Sequence, residues 1–259
     1  MSAEGGASVI RGVATLAVLV VLYGAADAGP RPDFAPTIGG QIDLAVHLTD
    51  ETGRADTLGY YAGGKPSLLL FGYHRCPNLC GVAELDLAQT LEQTGMATDA
   101  YRVVFVSVDP AETSADAAQA RDKLRQAAGT AVDLSEWRFL VGDAATLSAL
   151  ESSIGLTVAQ NERDLYVHPV AVSALTADGR VSGALSGLDY APTELRQLLA
   201  DAAAGRLGTL GDRVLLFCSA ILGVGRYNDI ALWAARIVSV AAMVALAGLV
   251  ILAARRRAS

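Results

Sequence analysis

The sequence predicts an α/β fold in which a mixed sheet carries helices on both faces. Apolar runs of strand length alternate with longer segments whose apolar residues recur at helical spacing, a pattern typical of parallel strands joined by helices. Later in the chain, Asp178-Gly179 separates two further apolar runs, which predicts a β-hairpin and antiparallel strands. The order strand, helix, strand, helix, strand, helix, hairpin, helix is that of a thioredoxin-like fold.

The first two strands are predicted from continuous apolar runs. Residues 67–73 and residues 102–108 have the composition of strands buried on both faces. Between them, apolar residues in the segment 82–94 recur at mostly helical spacing. The second strand stops at Asp109-Pro110, a pair that favours a turn.

The next three elements continue the alternation. Residues 114–128 are rich in alanine with interspersed charges, which predicts a helix with Ser114 as its N-cap. A short strand is predicted at 137–141, followed by a helix at 144–154 capped by Asp143.

The final elements are the hairpin and a last helix. Residues 170–175 and 180–185 flank the Asp178-Gly179 turn as strands. A helix is predicted over 192–204, with Pro192 in its first turn. Its N-cap is expected at one of two polar residues, Thr193 or Asp189.

The N-terminus resembles an export signal. Arg11 precedes an apolar stretch at 13–23, and Ala26 and Ala28 have the spacing of a cleavage site, which predicts a signal peptide over residues 1–28. An uncleaved membrane anchor is the alternative. Residues 29–40 are rich in proline and glycine and are predicted to be a linker.

The C-terminus is predicted to cross a membrane. Residues 230–254 are long enough to span a bilayer, and no charge occurs after Arg236 until the arginines of the tail, residues 255–259. Clustered arginines favour the cytoplasmic side. A buried core helix is the alternative. The thioredoxin-like domain, 41–205, and a connector, 206–229, would then face the periplasm of a bacterial inner membrane.

Composition excludes several classes of protein. With 52% hydrophobic residues, the chain is not a disordered protein. Three cysteines are too few for a disulfide-rich scaffold. The 20 Lys and Arg against 27 Asp and Glu leave a net charge of -7, so we expect no nucleic-acid partner.

Two cysteines follow the first buried strand. Cys76 and Cys80 would lie at the carboxyl edge of the sheet, where ligands bind in open α/β folds. Their spacing of four puts both sulfurs on one face if a helix begins there, and a helix start would lower the pKa of the thiols. A plain disulfide is the alternative, although closing so short a loop gains little entropy.

His168-Pro169 opens the later strand region on the same sheet edge. Two thiolates favour Cu(I), and imidazole also suits Cu(II), whereas a structural zinc site would need a fourth ligand. The alternative reading of His168 is a loop residue that makes an ordinary hydrogen bond.

These motifs together resemble the Sco (SenC/PrrC) family of copper-binding proteins, in particular its C-terminally membrane-anchored branch. That family has a thioredoxin fold and helps to assemble the copper centre of cytochrome c oxidase. The motifs that carry the resemblance are Tyr73 with Cys76-Pro77-x-x-Cys80, Val106-Ser-Val-Asp-Pro110 with Glu112-Thr113, Trp137-x-Phe-Leu-Val-Gly142, and His168-Pro169.

The resemblance implies that Cys76, Cys80 and His168 bind copper, as Cu(I), Cu(II) or both. It also implies the copper-bearing subunit of cytochrome c oxidase as partner. The chain departs from the family at three positions near the cysteines and in the apolar stretch after Cys218. The three positions are His74, Asn78 and Gly81.

Two neighbours of the motif are candidate supporting residues. His74 could act as a fourth ligand or as a proton donor, or be an ordinary strand-end side chain. Asp109 could interact with the residues that bind the metal without binding it itself, or it could only form the turn before Pro110. A third residue, Cys218, is expected to be a buried, inert thiol.

We expect a copper chaperone that passes its metal to the oxidase subunit. The alternative is a membrane-tethered thiol-disulfide oxidoreductase that reduces the cysteines of that subunit. Both functions need Cys76 and Cys80, but only the copper function needs His168. Thioredoxin-type enzymes usually space their cysteines as C-x-x-C, so the three intervening residues disfavour general exchange. A redox or copper sensor is least favoured, because the chain supplies no signalling domain.

Overall fold

The computed structural model describes residues 32–76, 80–161, 163, 165–208, 237–239, 241, 242, 245 and 248. The chain divides into two compact units, residues 30–219 and residues 1–29 together with 220–259. In the second unit the described residues are helical. No helix within the described residues is both long and apolar enough to cross a membrane. The predicted signal peptide lies outside the described residues, as does most of the predicted membrane helix.

Eleven strands are described in the unit 30–219: β1 (Asp33–Phe34), β2 (His47–Asp50), β3 (Ala55–Thr57), β4 (Ser67–Gly72), β5 (Arg102–Ser107), β6 (Trp137–Val141), β7 (Leu156–Thr157), β8 (Ala159–Gln160), β9 (Tyr166–Val167), β10 (Ala171–Leu175) and β11 (Val181–Ser186). Seven form one sheet in the order β11-β10-β4-β5-β6-β2-β3. β4, β5 and β6 are parallel and the other neighbours antiparallel, which confirms the predicted mixed sheet.

Helices cover both faces of this sheet, as predicted. They are α1 (Leu58–Ala62), α2 (Cys80–Gln93), α3 (Ser114–Ala128), α4 (Ala144–Ile154) and α5 (Pro192–Ala203). Alternate residues of β4 point to opposite faces: Leu68 belongs to the core under α2, α3 and α5, and Leu69 to the core under α1 and α4. Both faces of the central strands are therefore dry, which explains their continuous apolar runs.

Two predicted helix caps are wrong. Ser114 is not the N-cap of α3, because the preceding Thr113 is extended and forms a reciprocal capping box with Asp116. The last helix has Ala191 as its N-cap, with no side-chain hydrogen bond. The fixed backbone angle of Pro192 at the helix start replaces a polar cap there.

The segment predicted as a linker packs against the domain where it is described. Asp33–Phe34 pairs with Leu156–Thr157 as β1 and β7. Phe34 and Ile38 pack against the core under α1 and α4. The prolines and glycines of this segment therefore shape a packed entry into the fold.

Candidate metal centre

The cysteines lie where β4 ends at the carboxyl edge of the sheet. The amide of Cys76 donates to the carbonyl of Tyr73 at 3.1 Å, which closes a turn. Cys80 is the first residue of α2. One helix face was expected to carry both sulfurs if a helix began at Cys76, and this condition is not met because Cys76 precedes the helix. Both cysteines are half-buried thiols that are not joined in a disulfide.

Gly72 leaves the space that the Phe105 ring occupies beside the Cys80 sulfur. A Cβ atom added at Gly72 would lie 3.6 Å from that sulfur and 2.7 Å from the ring of Phe105. The side chain of Phe105 is itself buried in the core. The glycine in the strand therefore marks a close approach of side chains rather than a flexible joint.

The loop that leads to Cys76 is held by a buried carboxylate. Glu112 accepts hydrogen bonds from the amides of His74 and Arg75 at 2.7 and 2.6 Å, and from the hydroxyl of Ser107 at 2.7 Å. Its side chain is fully buried. A carboxylate that receives several donors fixes the backbone that carries them. Glu112 therefore joins the end of β5 to the cysteine loop.

Asp109 supports the same loop from outside the cavity. Its carboxylate forms an ion pair with Arg75 at 2.9 Å and accepts from the amide of Ala111 at 2.8 Å. It does not line the cavity with the cysteines. Its contact with the site thus runs through Arg75, the neighbour of Cys76.

His74 lies away from the cavity that contains the cysteines. Its ring is buried 5.0 Å from that of Phe105, and its Nε2 lies 3.2 Å from the carbonyl of Leu140. Burial lowers the pKa of His74, although the Glu112 carboxylate opposes that shift. The structure does not bring this histidine together with Cys76 and Cys80.

His168 follows the short hairpin of β8 and β9. Its Nδ1 lies 3.0 Å from the carbonyl of Pro169, and since a carbonyl can only accept, Nδ1 carries the proton. The Nε2 lone pair is then left for a ligand. Burial lowers the pKa of His168, against the opposing effects of the Pro169 carbonyl and Cys76, and so favours the neutral imidazole that binds metals.

One cavity of about 200 Å³ brings Cys76, Cys80 and His168 together. Its other walls are mostly apolar and aromatic. They are formed by Leu70, Phe71, Tyr73, Ala83, Glu84, Phe105, Asn161, Leu165, Tyr166, Val167, Val170 and Ala171. In the described part of the chain, no three His, Cys, Asp or Glu side chains are close enough to hold a single metal ion. The predicted ligands thus share a cavity without forming a finished coordination site.

Glu84 is a polar wall residue that the sequence analysis missed. It is 5% exposed, and burial, with a smaller effect of Cys76, raises its pKa to about 8. The available indication was its position four residues after Cys80, which places both side chains on the same face of α2.

The expectation that the helix start lowers the pKa of both thiols is wrong for Cys80. A hydrogen bond with Cys76 and burial together raise the pKa of Cys80. These two effects outweigh the hydrogen bond with the Tyr73 backbone, which lowers the pKa of Cys80. Cys80 therefore keeps its proton at neutral pH until something displaces it.

One of the comparisons with known proteins identifies a family. The family model described as SCO1/SenC matches residues 37–203. No curated protein matches the chain. Among solved structures, a candidate electron transfer protein from Aquifex aeolicus VF5 is 20% identical, with a TM-score of 0.58 over 65% of this chain and 95% of that chain.

Two further structures carry the family's name. Arabidopsis thaliana ScoI with copper bound is 18% identical, with a TM-score of 0.51 over 64% of this chain and 98% of that chain. BsSco, described as having a disulfide switch and as a member of the Sco family of cytochrome c oxidase assembly proteins, is 18% identical, with a TM-score of 0.52 over 66% and 97%. At these identities, the likenesses show a common fold.

Proposed function

This chain belongs to the SCO1/SenC family, and we propose that it binds copper in the cavity of Cys76, Cys80 and His168 and delivers the metal during assembly of cytochrome c oxidase. One observation carries the proposal: two thiols outside any disulfide and an imidazole with an open Nε2 line the same cavity. The copper bound to Arabidopsis ScoI and the assembly role of the family of BsSco support it.

The donor chemistry suits copper as a cargo. Two sulfurs and one imidazole form a soft, three-coordinate set of the kind that Cu(I) accepts. Cys80 must lose its proton when it binds the metal, because its pKa is raised in the metal-free protein. Binding must also draw His168 and the thiols together. A site that is completed only by its cargo can release that cargo by ligand exchange.

Copper affinity tests the three ligands. The full chain, reduced and anaerobic, would be titrated with Cu(I) against a competing chelator. We expect one tight ion per chain, no tight binding by Cys76→Ser or Cys80→Ser, and about 10- to 100-fold weaker binding by His168→Ala. His47→Ala is the matched control, because His47 is exposed on β2 and should leave the affinity unchanged.

Two outcomes would contradict the proposal. If the parent chain bound no copper tightly, the function would be wrong. If His168→Ala bound copper as tightly as the parent, the ligand set would be wrong. Delivery needs a separate measurement, in which copper-loaded chain is mixed with the copper-free oxidase subunit and the metal content of each is determined after separation.

We also propose that residues 230–254 anchor the chain in a bacterial inner membrane, with the domain in the periplasm. The uncharged stretch and the terminal arginines support this placement. The chain should stay with membranes after alkaline extraction, and protease added to spheroplasts should digest the domain. Recovery of the chain in the soluble fraction would contradict the anchor.

A further inference from the structure

A buried tyrosine hydroxyl lies beside the cysteines. Tyr73 directly follows β4 and is 5% exposed. Its ring packs edge-on against that of Tyr166, with 5.9 Å between centroids. Within the described residues, its hydroxyl oxygen has no hydrogen-bond partner of normal geometry. A buried polar group left in this way is costly, so its position calls for an explanation.

The turn after β4 brings Cys76 back to Tyr73, because the amide of Cys76 donates to the carbonyl of Tyr73 at 3.1 Å. The Tyr73 side chain interacts with that of Cys76, and a phenol beside a thiol sulfur acts as the hydrogen-bond donor. Tyr73 and both cysteines line the same cavity.

We propose that Tyr73 is a positioning residue that donates a hydrogen bond to the sulfur of Cys76 and thereby favours the dithiol form of the Cys76–Cys80 pair over its disulfide. The inference rests on the proposed function, because only the dithiol form can take up copper. A disulfide sulfur is a poorer acceptor than a thiol or thiolate sulfur, so oxidation would leave the phenol with no good partner.

The redox step involves the cysteine pair and an external dithiol. The reductant attacks the Cys76–Cys80 disulfide through a mixed disulfide, and its second thiol then releases the protein sulfurs. The protein gains two electrons and two protons, and the reductant becomes a disulfide. Tyr73 takes no part in the electron transfer and acts only on the relative stability of the two protein forms.

The test is the thiol–disulfide equilibrium of copper-free protein. Full-length parent and Tyr73→Phe would be equilibrated with mixtures of reduced and oxidised dithiothreitol, and the free thiols counted after acid quenching. We expect Tyr73→Phe to shift the equilibrium about 3- to 10-fold toward the disulfide, the range expected for one lost hydrogen bond. A tenfold shift corresponds to a potential lower by about 30 mV.

A buried tyrosine distant from the cysteines provides the control. Tyr101 lies just before β5, at the opposite edge of the sheet, and Tyr101→Phe should leave the equilibrium unchanged. No shift in Tyr73→Phe, or an equal shift in Tyr101→Phe, would overturn the inference. Thermal unfolding of each variant would confirm that it is folded.

The two proposals can fail separately. The equilibrium is measured without copper, so a shift in Tyr73→Phe would stand even if the parent bound no copper. Conversely, tight copper binding with no shift in Tyr73→Phe would leave the proposed function intact and remove only the role of Tyr73.

Discussion

The two halves of the candidate site are built differently. The described residues of the cysteine half, 72–76 and 80–84, begin at the end of a fully buried six-residue strand, are held by the carboxylate of Glu112, and continue into a 14-residue helix. The described residues of the histidine half, 159–161, 163 and 165–170, include two strands of two residues each. Its imidazole makes its one described hydrogen bond to the adjacent Pro169.

This contrast explains why the predicted ligands line one cavity but are not close enough together to bind a single metal ion. Buried hydrogen bonds and core contacts fix the cysteine half before any metal arrives. The described residues of the histidine half have few such constraints, so the ion itself must supply part of the energy that orders them. A copper carrier benefits from this division, because a fully preformed site would hold its cargo more tightly.

Removal of the Glu112 carboxylate should cause the largest change in stability. Glu112→Ala leaves two amides and the Ser107 hydroxyl without their buried acceptor, and should lower the free energy of unfolding by about 3–5 kcal/mol. Urea denaturation would measure this loss. Asp122→Asn, which changes an exposed carboxylate on α3, should alter stability by less than about 0.5 kcal/mol. Equal effects of the two variants would contradict the special role of Glu112.

The substitution of Glu84 should produce the next largest change in stability, and it should stabilise the protein rather than destabilise it. Its pKa is about 8 in the folded chain against 4.5 for the unperturbed group. Between these pH values the folded state holds more protons than the unfolded state, so stability falls as pH rises. Glu84→Gln removes the cost of burying the charge and should stabilise the protein by about 2–4 kcal/mol above pH 8.

Denaturation at several pH values distinguishes this effect from a simple packing change. The advantage of Glu84→Gln should vanish near pH 4.5 and grow through the interval up to pH 8. Glu194→Gln, an exposed change on α5, should leave the pH profile of the parent unchanged. If the free energies of unfolding of Glu84→Gln and the parent differed by the same amount at every pH, the carboxyl group would not titrate inside the cavity.

A smaller effect is expected from Gly72→Ala. The new methyl group would lie 2.7 Å from Phe105, whose ring is confined by Phe139 at 5.7 Å, and overpacking of this kind costs about 1–3 kcal/mol. Gly81→Ala is the matched change in the first turn of α2, where nothing lies within 4 Å of the added atom. It should stabilise the protein by up to about 1 kcal/mol. The two substitutions should therefore change the free energy of unfolding in opposite directions.

The sequence predicted the framework of the cysteine half better than its polar interior. The apolar runs of β4, β5 and β6 and the helical spacing in α2 depend on local patterns, and the structure has these elements within one or two residues of the predicted bounds. Glu112 and Glu84 are single acidic residues whose burial depends on contacts distant in sequence. The apolar periodicity does not separate them from the solvated acids elsewhere in the chain; the available indications were the spacing of Glu84 from Cys80 and the place of Glu112 in the Glu112-Thr113 motif.

The histidine half was predictable in less detail for a different reason. β8 and β9 have two residues each, too few for the alternation that identifies a strand. The pair His168-Pro169 was visible in the sequence, and so was its approximate place at the sheet edge. The distance of His168 from the thiols depends on the short hairpin of β8 and β9. Sequence periodicity does not predict this hairpin.

The smallest expected effect is that of His168→Ala on metal-free stability. If the histidine half is weakly constrained, the variant should lose less than about 1 kcal/mol at pH 7.5, measured by urea denaturation beside His47→Ala. Burial lowers the pKa of His168 below 6.5, so the unfolded state binds the extra proton first and the parent loses stability as pH falls below 6.5. His168→Ala lacks this acid-induced loss of stability. The difference in free energy of unfolding between parent and variant should therefore be smaller at pH 5 than at pH 7.5. A deficit above about 2 kcal/mol at pH 7.5 would mean that the fold itself depends on the imidazole, and the two halves would then be equally preformed.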